Sequence, residues 1–508
     1  MALLRKLSRP LFLPPVLHSR PLQNIILIAS CLILLIFFLY SLREPEPTQL
    51  LPYQIYPQTN DSIHHTVTEF LPASVETGKD STRELCDSFP KHVLSRIQPV
   101  LKTGHGDNKE KLNAQMDSTS ACFTPDELII FSDLDEKIRD HHAIDILAHL
   151  PSAHYNATTF KMWEEYLAQK EMQANGVLDT AAQVKHINGW ALDKFKFLPM
   201  MERAWAMKPN RDFYVFYETD TYIFWDNLFR FLQTYNPDAN AYIGSPSPGR
   251  RDPKRGDQGT LFANGGPGYV ISRGAMKTLL QRTTGPYGQY TDDPLSVKFS
   301  YLNHDDECCG DSVLGWVLWE LGIPMHGHWP MFSDYGLHDI PFNDQHWCQP
   351  LITLHKTSPK DMVDLFSWEF SQRKSQLTNR QRPLLFSDVW EFHKPGTVPS
   401  RENWDGGRFD AFEPPAEVVI ESSEQCSRAC SDDVGCLQWK WEGRDRKKCT
   451  LLRSLQHGRA RKAEKGDGDE EAWVDYTSGW VDEHIKEWRK KQDCGIVKWV
   501  GASVERKF

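Results

Sequence analysis

The stretch RDFYVFYETDTYIFWDNLFRFLQTY, residues 211–235, joins a strand pattern to a helix pattern. Its first seven residues end in a run that is apolar on both faces, which is typical of a strand buried inside a sheet. Its last part places three apolar side chains on one helical face: Leu228, Phe231 and Leu232. Residues 127–133 and 241–245 are further strand candidates, and another apolar helix pattern starts at Asp311. Strands that alternate with helices predict an α/β domain with a mostly parallel sheet.

The acidic turn between the two patterns is the first candidate site. Glu218 and Asp220 lie two residues apart, and side chains at i and i+2 of a strand point to the same face. In open α/β sheets, ligands bind at the carboxyl ends of the strands. Carboxylate oxygens suit Mg²⁺ or Mn²⁺, and phosphates can supply the remaining ligands. The alternative is a solvated strand end that binds nothing.

Three more features could contribute to such a site. The glycines of NGGPGYVIS, residues 264–272, permit close approach of a ligand to the backbone, although a tight turn would also explain them. Asp311 could be a general base in a cleft or a simple helix N-cap. His355 follows an apolar run and could complete a metal site as a neutral imidazole.

The N-terminus predicts a membrane anchor. Residues 25–42 are almost wholly apolar, and basic residues but no acidic residue precede them. The run is slightly short for a membrane span, but a cleaved signal peptide would need a better small-residue cleavage site. The basic flank predicts a cytosolic tail over residues 1–24 and a luminal chain beyond the anchor. We therefore expect a single-pass type II membrane protein.

Other features favour the lumen of the Golgi or endoplasmic reticulum. Ten of the eleven cysteines lie beyond the anchor, and an even number suits an oxidising compartment. Asn60 and Asn156 begin N-glycosylation sequons, although either could occur by chance. The net charge of −10, without a long basic block, argues against a nucleic-acid partner.

Composition divides the luminal chain into segments. We place a flexible stem at 43–82, the α/β domain at 83–375, a linker at 376–415, a small module at 416–476 and a C-terminal segment at 477–508. The module holds Cys426, Cys430, Cys436 and Cys449. Disulfides explain these cysteines better than zinc, because their spacing lacks the C-x2-C pairs of common zinc sites.

The motifs together resemble the fringe-like inverting β1,3-glycosyltransferases, the group that includes the core 1 galactosyltransferase. The resemblance covers about 127–361, and its motifs correspond to residues 218–222, 265–272, 310–315 and His355. It implies a GT-A-type, Rossmann-like catalytic domain behind a signal anchor and a stem. Position 310 departs from the pattern, because relatives often carry an acid there and this chain carries glycine.

The resemblance also implies a role for each candidate residue. Asp220 and His355 would bind Mn²⁺ or Mg²⁺, which would also grip the diphosphate of a UDP-sugar. Asp311 would be the base that deprotonates the acceptor hydroxyl in one inverting displacement. The other donor-binding residues would be Ser132, Asp133, Lys194, Glu218, Thr219, Gly265 and Gly266.

The cysteine-rich segment resembles a PAN/Apple module. That resemblance implies Cys430–Cys436 and Cys426–Cys449 bridges and a surface that binds a protein or a glycan. The pairing of the remaining luminal cysteines cannot be deduced, although a Cys86–Cys122 bridge is attractive because both residues flank the start of the catalytic region.

We therefore expect a glycosyltransferase that transfers a sugar from a UDP-sugar to a glycan or glycoprotein hydroxyl. One alternative is an inactive relative that acts as a chaperone or a glycan-binding protein. The joint presence of Asp220, Asp311 and His355 argues against it. Another alternative is a secreted adhesion protein, which would require cleavage of the anchor. The donor sugar and the acceptor depend on loop shape, which the sequence does not give.

Overall fold

The computed structural model describes residues 85–86, 89, 91–178, 189–252, 258–304, 307–376, 382–393, 397–465, 473–495, 497 and 499–503. The chain divides into two compact units, Met1–Ile55 and Tyr56–Phe508, and every described residue belongs to the second. The predicted tail, anchor and stem, with the sequon at Asn60, lie outside the described residues. Within the described ranges, none of the helices has the length and apolar character of a membrane span.

The helices are α1 (Lys109–Met116), α2 (Trp163–Ala174), α3 (Gly189–Met207), α4 (Trp225–Leu232), α5 (Arg273–Leu279), α6 (Leu295–Lys298), α7 (Gly310–Glu320), α8 (Pro359–Gln376), α9 (Phe386–Phe392), α10 (Ser423–Asp432) and α11 (Asp482–Lys490). The strands are β1 (Ile97–Lys102), β2 (Ile129–Ser132), β3 (Glu136–Ile138), β4 (His141–Asp145), β5 (Phe213–Glu218), β6 (Tyr222–Ile223), β7 (Tyr242–Gly244), β8 (Pro246–Asp252), β9 (Gln258–Ala263), β10 (Tyr269–Ser272), β11 (Met325–Gly327), β12 (Phe332–Ser333), β13 (Thr353–Leu354), β14 (Arg401–Glu402), β15 (Trp404–Asp405), β16 (Ala411–Phe412), β17 (Gln438–Glu442), β18 (Lys448–Leu452), β19 (Arg459–Ala460), β20 (Glu464–Lys465), β21 (Trp473–Val474) and β22 (Tyr476–Trp480).

The largest sheet of the described residues has eight strands in the order β11-β7-β10-β5-β1-β2-β4-β3. Strands β5, β1, β2 and β4 run parallel, as do β7 and β11. Strand β10 runs antiparallel between β5 and β7, and β3 is antiparallel at the edge. The strands expected at 127–133, 211–217 and 241–245 are β2, β5 and β7. The mixed α/β fold with a mostly parallel central sheet is confirmed, and it fits a GT-A-like domain.

Helices cover both faces of this sheet. Side chains alternate along β5: Val215 lies in a core with residues of α4, α8 and α9, whereas Tyr214 and Phe216 lie in a second core with residues of α3 and α7. Strands buried on both faces explain why the sequence patterns were continuous apolar runs. The parallel register pairs Lys102 with Glu218, so β1 and β5 end side by side.

Part of the expected linker at 376–415 belongs to the core instead. Helix α9 buries Phe386, Val389 and Trp390 in the same core as Val215. The Asn227 side chain donates to Leu384 O at 2.7 Å and accepts from Leu384 N at 2.9 Å, which fixes the start of the helix. The polar average composition of the segment concealed this short apolar run.

Replacement of Trp390 measures how firmly this segment is docked. Trp390 is 0% exposed and stacks on His457 at 4.6 Å between ring centroids. Trp390→Ala should therefore lower the free energy of unfolding by about 3–5 kcal/mol. Trp473→Ala is the matched control, because Trp473 is 44% exposed and its loss should cost little. Chemical denaturation followed by circular dichroism measures both, and equal stabilities would place α9 outside the core.

The C-terminal module comprises the described residues of 397–490. Its sheet has the strand order β14-β22-β17-β18-β16, and α10 packs on it. Disulfides join Cys426 to Cys449 and Cys430 to Cys436, the pairs that the resemblance implied. Strands β14 and β16 come from the expected linker, and β22 reaches beyond residue 476. The sheet therefore extends past both expected boundaries.

The α/β domain and the C-terminal module contact each other closely. Phe342 and Leu455 exchange two backbone hydrogen bonds of 2.8 Å, and the Gln456 side chain donates to Asp339 O at 2.6 Å. Cys348 and Cys494 form a disulfide across 146 residues of chain. The remaining disulfides are Cys86–Cys122, the pair expected above, and Cys308–Cys309 between neighbouring residues.

Candidate active site

A cleft of about 330 Å³ opens at the carboxyl ends of β1 and β5. Four residues singled out from the sequence line it: Glu218, Gly266, Asp311 and His355. They come from β5, the glycine turn before β10, the first turn of α7 and the end of β13. Ligands bind at this edge in open α/β sheets, so the cleft is a candidate active site.

The acidic turn and His355 form one cluster. Glu218, Asp220 and His355 each offer a ligand atom, and these atoms lie within 4.8 Å of one another. The cluster forms because β6, directly after the turn, pairs with β13, directly before His355. Thr221 Oγ1 donates to Gly266 O at 2.6 Å and joins the turn to the glycine motif.

The cluster fits a divalent cation by its chemistry. Two carboxylates and one imidazole suit Mn²⁺ or Mg²⁺. His355 Nδ1 is buried and has no hydrogen-bond partner among the described residues, whereas His355 Nε2 lies 3.5 Å from Asp220 Oδ1. Asp220 Oδ2 pairs with Lys111 Nζ at 2.8 Å. Because the Lys111 side chain is 41% exposed, it can withdraw into solvent when a cation binds.

Gly266 is required by the position of His355. An ideal Cβ on Gly266 would lie 2.1 Å from His355 Cε1 and 2.4 Å from both ring nitrogens. Gly266→Ala should therefore displace the imidazole and weaken Mn²⁺ binding by about 10- to 100-fold, as changes to the support of metal ligands do. Gly189→Ala is the control, because among the residues that the structure describes its Cβ would meet only Gly106 Cα, at 3.8 Å. Isothermal titration with Mn²⁺ measures both variants, and wild-type affinity in Gly266→Ala would remove His355 from the cation site.

Asp311 is held as a hydrogen-bond acceptor inside the cleft. It is the second residue of α7, whose N-cap is Cys309, so the simple N-cap alternative is wrong. Its Oδ2 accepts from Gly265 N at 2.8 Å and its Oδ1 from Ser312 N at 2.9 Å. Burial raises the pKa of Asp311 from 3.8 to about 6, although these two hydrogen bonds oppose the rise. A carboxylate with such a pKa can accept a proton near neutral pH.

The glycine at position 310 is explained by packing. An ideal Cβ there would lie 2.3 Å from Phe197 Cδ2 and 2.8 Å from Lys194 Cα, so no acidic side chain fits. The Glu218 carboxylate, at the end of β5, lies near Asp311 instead. A Cβ on Gly265 would lie 3.1 Å from Glu218 Oε1 and 3.4 Å from Asp311 Oδ2, so both carboxylates lie beside the same glycine.

Sequence reasoning missed a buried charge network beside the cleft. Lys102 Nζ lies 3.1 Å from Glu218 Oε1 and also pairs with Asp193. Lys196 Nζ lies 2.8 Å from Asp193 Oδ1 and 2.9 Å from Asp133 Oδ2. Burial alone would raise the pKa of Asp193, but Lys102 and Lys196 outweigh it and lower that pKa to about 2. Lys102 directly follows the mostly apolar run IQPVL, residues 97–101, and this position at a strand end is the signal that could have identified it.

Three residues expected around the nucleotide make internal contacts: Ser132, Asp133 and Lys194. They are not among the described residues that line this cleft, and neither are the expected site residues Thr219, Asp220 and Gly265. Ser132 and Asp133 are buried at the end of β2, where Asp133 Oδ1 accepts from His105 N and from Gln169 Nε2, each at 2.8 Å. Lys194 Nζ donates to His304 O at 2.8 Å and to Glu307 O at 3.2 Å. Lys194 therefore holds the segment that precedes Asp311.

Two other residues singled out from the sequence, Thr219 and Asn156, are among the described residues. Thr219 is buried in the acidic turn between Glu218 and Asp220. Asn156 is half-buried, and its Oδ1 accepts from the backbone of Thr158 at 3.0 Å.

A comparison with family models identifies the domain that contains the cleft. Residues 156–368 match the model described as Fringe-like. The match includes the acidic turn, Asp311 and His355, and it ends before the C-terminal module. A search of the curated proteins gives no significant match. The chain therefore carries a Fringe-like domain, and this match supports its place in a fringe-like glycosyltransferase family.

Proposed function

We propose that the protein transfers a sugar from a UDP-sugar to a hydroxyl of a glycan or glycoprotein, with inversion and a β1,3 linkage, as the core 1 galactosyltransferase-like group does. The observation that carries this proposal is the meeting of Asp311 with Glu218 and His355 in one cleft. A single displacement needs a base for the attacking hydroxyl and a cationic site for the departing diphosphate. Asp311 would serve as the base, and the cluster of Glu218, Asp220 and His355 would hold the cation.

Asp311 would take the proton of the acceptor hydroxyl. The amides of Gly265 and Ser312 fix its carboxylate, so the base needs no reorientation when the acceptor enters. Since its pKa is about 6, the carboxylate is largely ionised at neutral pH and still accepts a proton readily.

The other wall of the cleft would hold the donor. A Mn²⁺ or Mg²⁺ ion bound by Asp220 and His355 would act as a Lewis acid that offsets charge on the UDP leaving group. Lys102 would add a fixed positive charge beside Glu218. The backbone of Gly265 and Gly266 would let the donor approach closely, with Glu218 and Thr219 beside the nucleotide.

The C-terminal module would be PAN/Apple-like, with a protein or a glycan as its ligand. One helix on an antiparallel sheet, tied by the Cys426–Cys449 and Cys430–Cys436 bridges, supports this proposal. Disulfides are typical of oxidising compartments, which supports a catalytic domain in the lumen of the Golgi or endoplasmic reticulum. Residues 25–42 would anchor it in the bilayer as a type II protein.

One observation favours the alternative of an inactive, glycan-binding or chaperone-like relative. Lys111 Nζ pairs with Asp220 Oδ2 at 2.8 Å, so one carboxylate of the proposed cation cluster already has a cationic partner. Such an ion pair could permanently replace the cation.

Hydrolysis of a panel of UDP-sugars by the purified protein, with and without Mn²⁺, distinguishes the two proposals. An active transferase should hydrolyse at least one donor slowly in the presence of Mn²⁺ and transfer it when an acceptor is added. Absence of both UDP binding and Mn²⁺ binding in calorimetry would favour the inactive relative.

A further inference from the structure

The Cys308–Cys309 disulfide forms part of the wall of the active-site cleft. Both residues line the cleft, and Cys308 is exposed while Cys309 is half-buried. Sulfur is polarisable and makes only weak hydrogen bonds. In a cleft otherwise rich in carboxylates and lysine, the two bonded sulfurs and the nearby Phe197 ring supply apolar surface.

The disulfide lies next to the proposed base at the start of α7. The cation cluster contacts Gly266 through His355, and the adjacent Gly265 donates to Asp311. Cys309 lies two residues before Asp311 in the chain. Cys309 is the N-cap of α7 and Asp311 is the second residue of that helix, so the disulfide and the base share one helix end. An acceptor whose hydroxyl reaches Asp311 therefore brings its ring close to the sulfurs.

The segment that carries the disulfide is held in place. Lys194 Nζ donates to the carbonyls of His304 and Glu307, and Arg250 pairs with the Glu307 side chain. Glu307 Oε1 accepts from Cys309 N at 3.3 Å. A bond between adjacent cysteines closes a small ring, which stiffens the backbone further. A surface with so little freedom loses little entropy when a ligand rests on it.

We propose that the Cys308–Cys309 disulfide is the surface on which the apolar C–H face of the acceptor sugar rests while its hydroxyl reaches Asp311. This inference rests on the proposed transferase function. A pyranose ring has a face of C–H groups and a rim of hydroxyls, so it needs apolar contact on one side and polar contact at the edge. The disulfide and Asp311 provide one contact of each kind in the same cleft.

The test replaces the disulfide and separates acceptor from donor. In Cys308→Ser/Cys309→Ser, the KM for p-nitrophenyl hexopyranoside acceptors should rise about tenfold, the effect of losing one small apolar contact. The KM for the UDP-sugar should stay within about twofold, because the donor contacts lie at Asp220 and His355. Cys86→Ser/Cys122→Ser removes a disulfide of the α/β domain that does not line the cleft, and it should keep the wild-type acceptor KM. An unchanged acceptor KM in the first variant would overturn the proposal.

Saturation-transfer NMR of the wild-type protein provides a second measurement that does not depend on catalysis or on folding of the variant. With UDP present, protons on one C–H face of the p-nitrophenyl hexopyranoside should receive the strongest saturation. Even saturation around the ring would overturn the proposed contact. If the protein binds no UDP but this C–H face is still saturated, the transferase function fails and the sugar contact stands.

Discussion

Asp311→Asn should lower the rate of sugar transfer by about 10²- to 10⁴-fold, the usual contribution of a general base. Asparagine has one acceptor oxygen in place of two, so it can keep the hydrogen bond from Gly265 N or the one from Ser312 N, and it loses the other. UDP binding should stay close to that of the wild type, and the free energy of unfolding should fall by about 1–3 kcal/mol because one buried N–H loses its acceptor. Steady-state transfer assays and calorimetry measure these quantities, and near-normal transfer by this variant would exclude Asp311 as the base.

The pH profile provides an independent check of the same residue. Because burial raises the pKa of Asp311 to about 6, the reactive carboxylate is lost as the pH falls through 6. The kcat/KM of the wild type should increase with pH up to about 6 and level off above it. The residual activity of Asp311→Asn should not show this decrease in kcat/KM below pH 6.

Asp220→Ala should weaken Mn²⁺ binding by at least about 100-fold and remove metal-dependent transfer. Lys111→Met is the matched control, because either change breaks the Lys111–Asp220 ion pair but only the first removes a cation ligand. Lys111→Met should therefore bind Mn²⁺ at least as tightly as the wild type. If both variants lose activity equally while neither changes Mn²⁺ affinity, the ion pair itself is the functional element and Asp220 is not a metal ligand.

The fold was predictable where local sequence patterns dominate. The apolar runs at β2, β5 and β7 and the helix pattern at α7 are visible in single segments. Asp220, His355 and Asp311 were found because each follows or precedes such a run. His355 and Asp311 line one cleft, and Asp220 lies beside His355. This arrangement depends on strand order, and only the resemblance to a family implied it.

The missed features depend on contacts between distant segments. Lys102 was overlooked because its role appears only when β1 pairs with β5 and brings it beside Glu218. Helix α9 was assigned to a linker because composition averaged over 40 residues hides a run as short as Leu384–Phe386. The Cys348–Cys494 pair has no local signature, since its two cysteines are separated by 146 residues.

The close contact between the α/β domain and the C-terminal module has a consequence for how the chain unfolds. Leu455, Trp480 and Trp488 belong to the same apolar cluster as Val215, and Phe342 bonds Leu455 through the backbone. Segments that share one core lose their structure together, so a single cooperative transition is expected. Limited proteolysis should release no stable catalytic fragment that ends near residue 375. The boundary that the composition suggests near residue 375 is therefore not a domain boundary of the folded protein. We expect the α/β domain and the C-terminal module to unfold together.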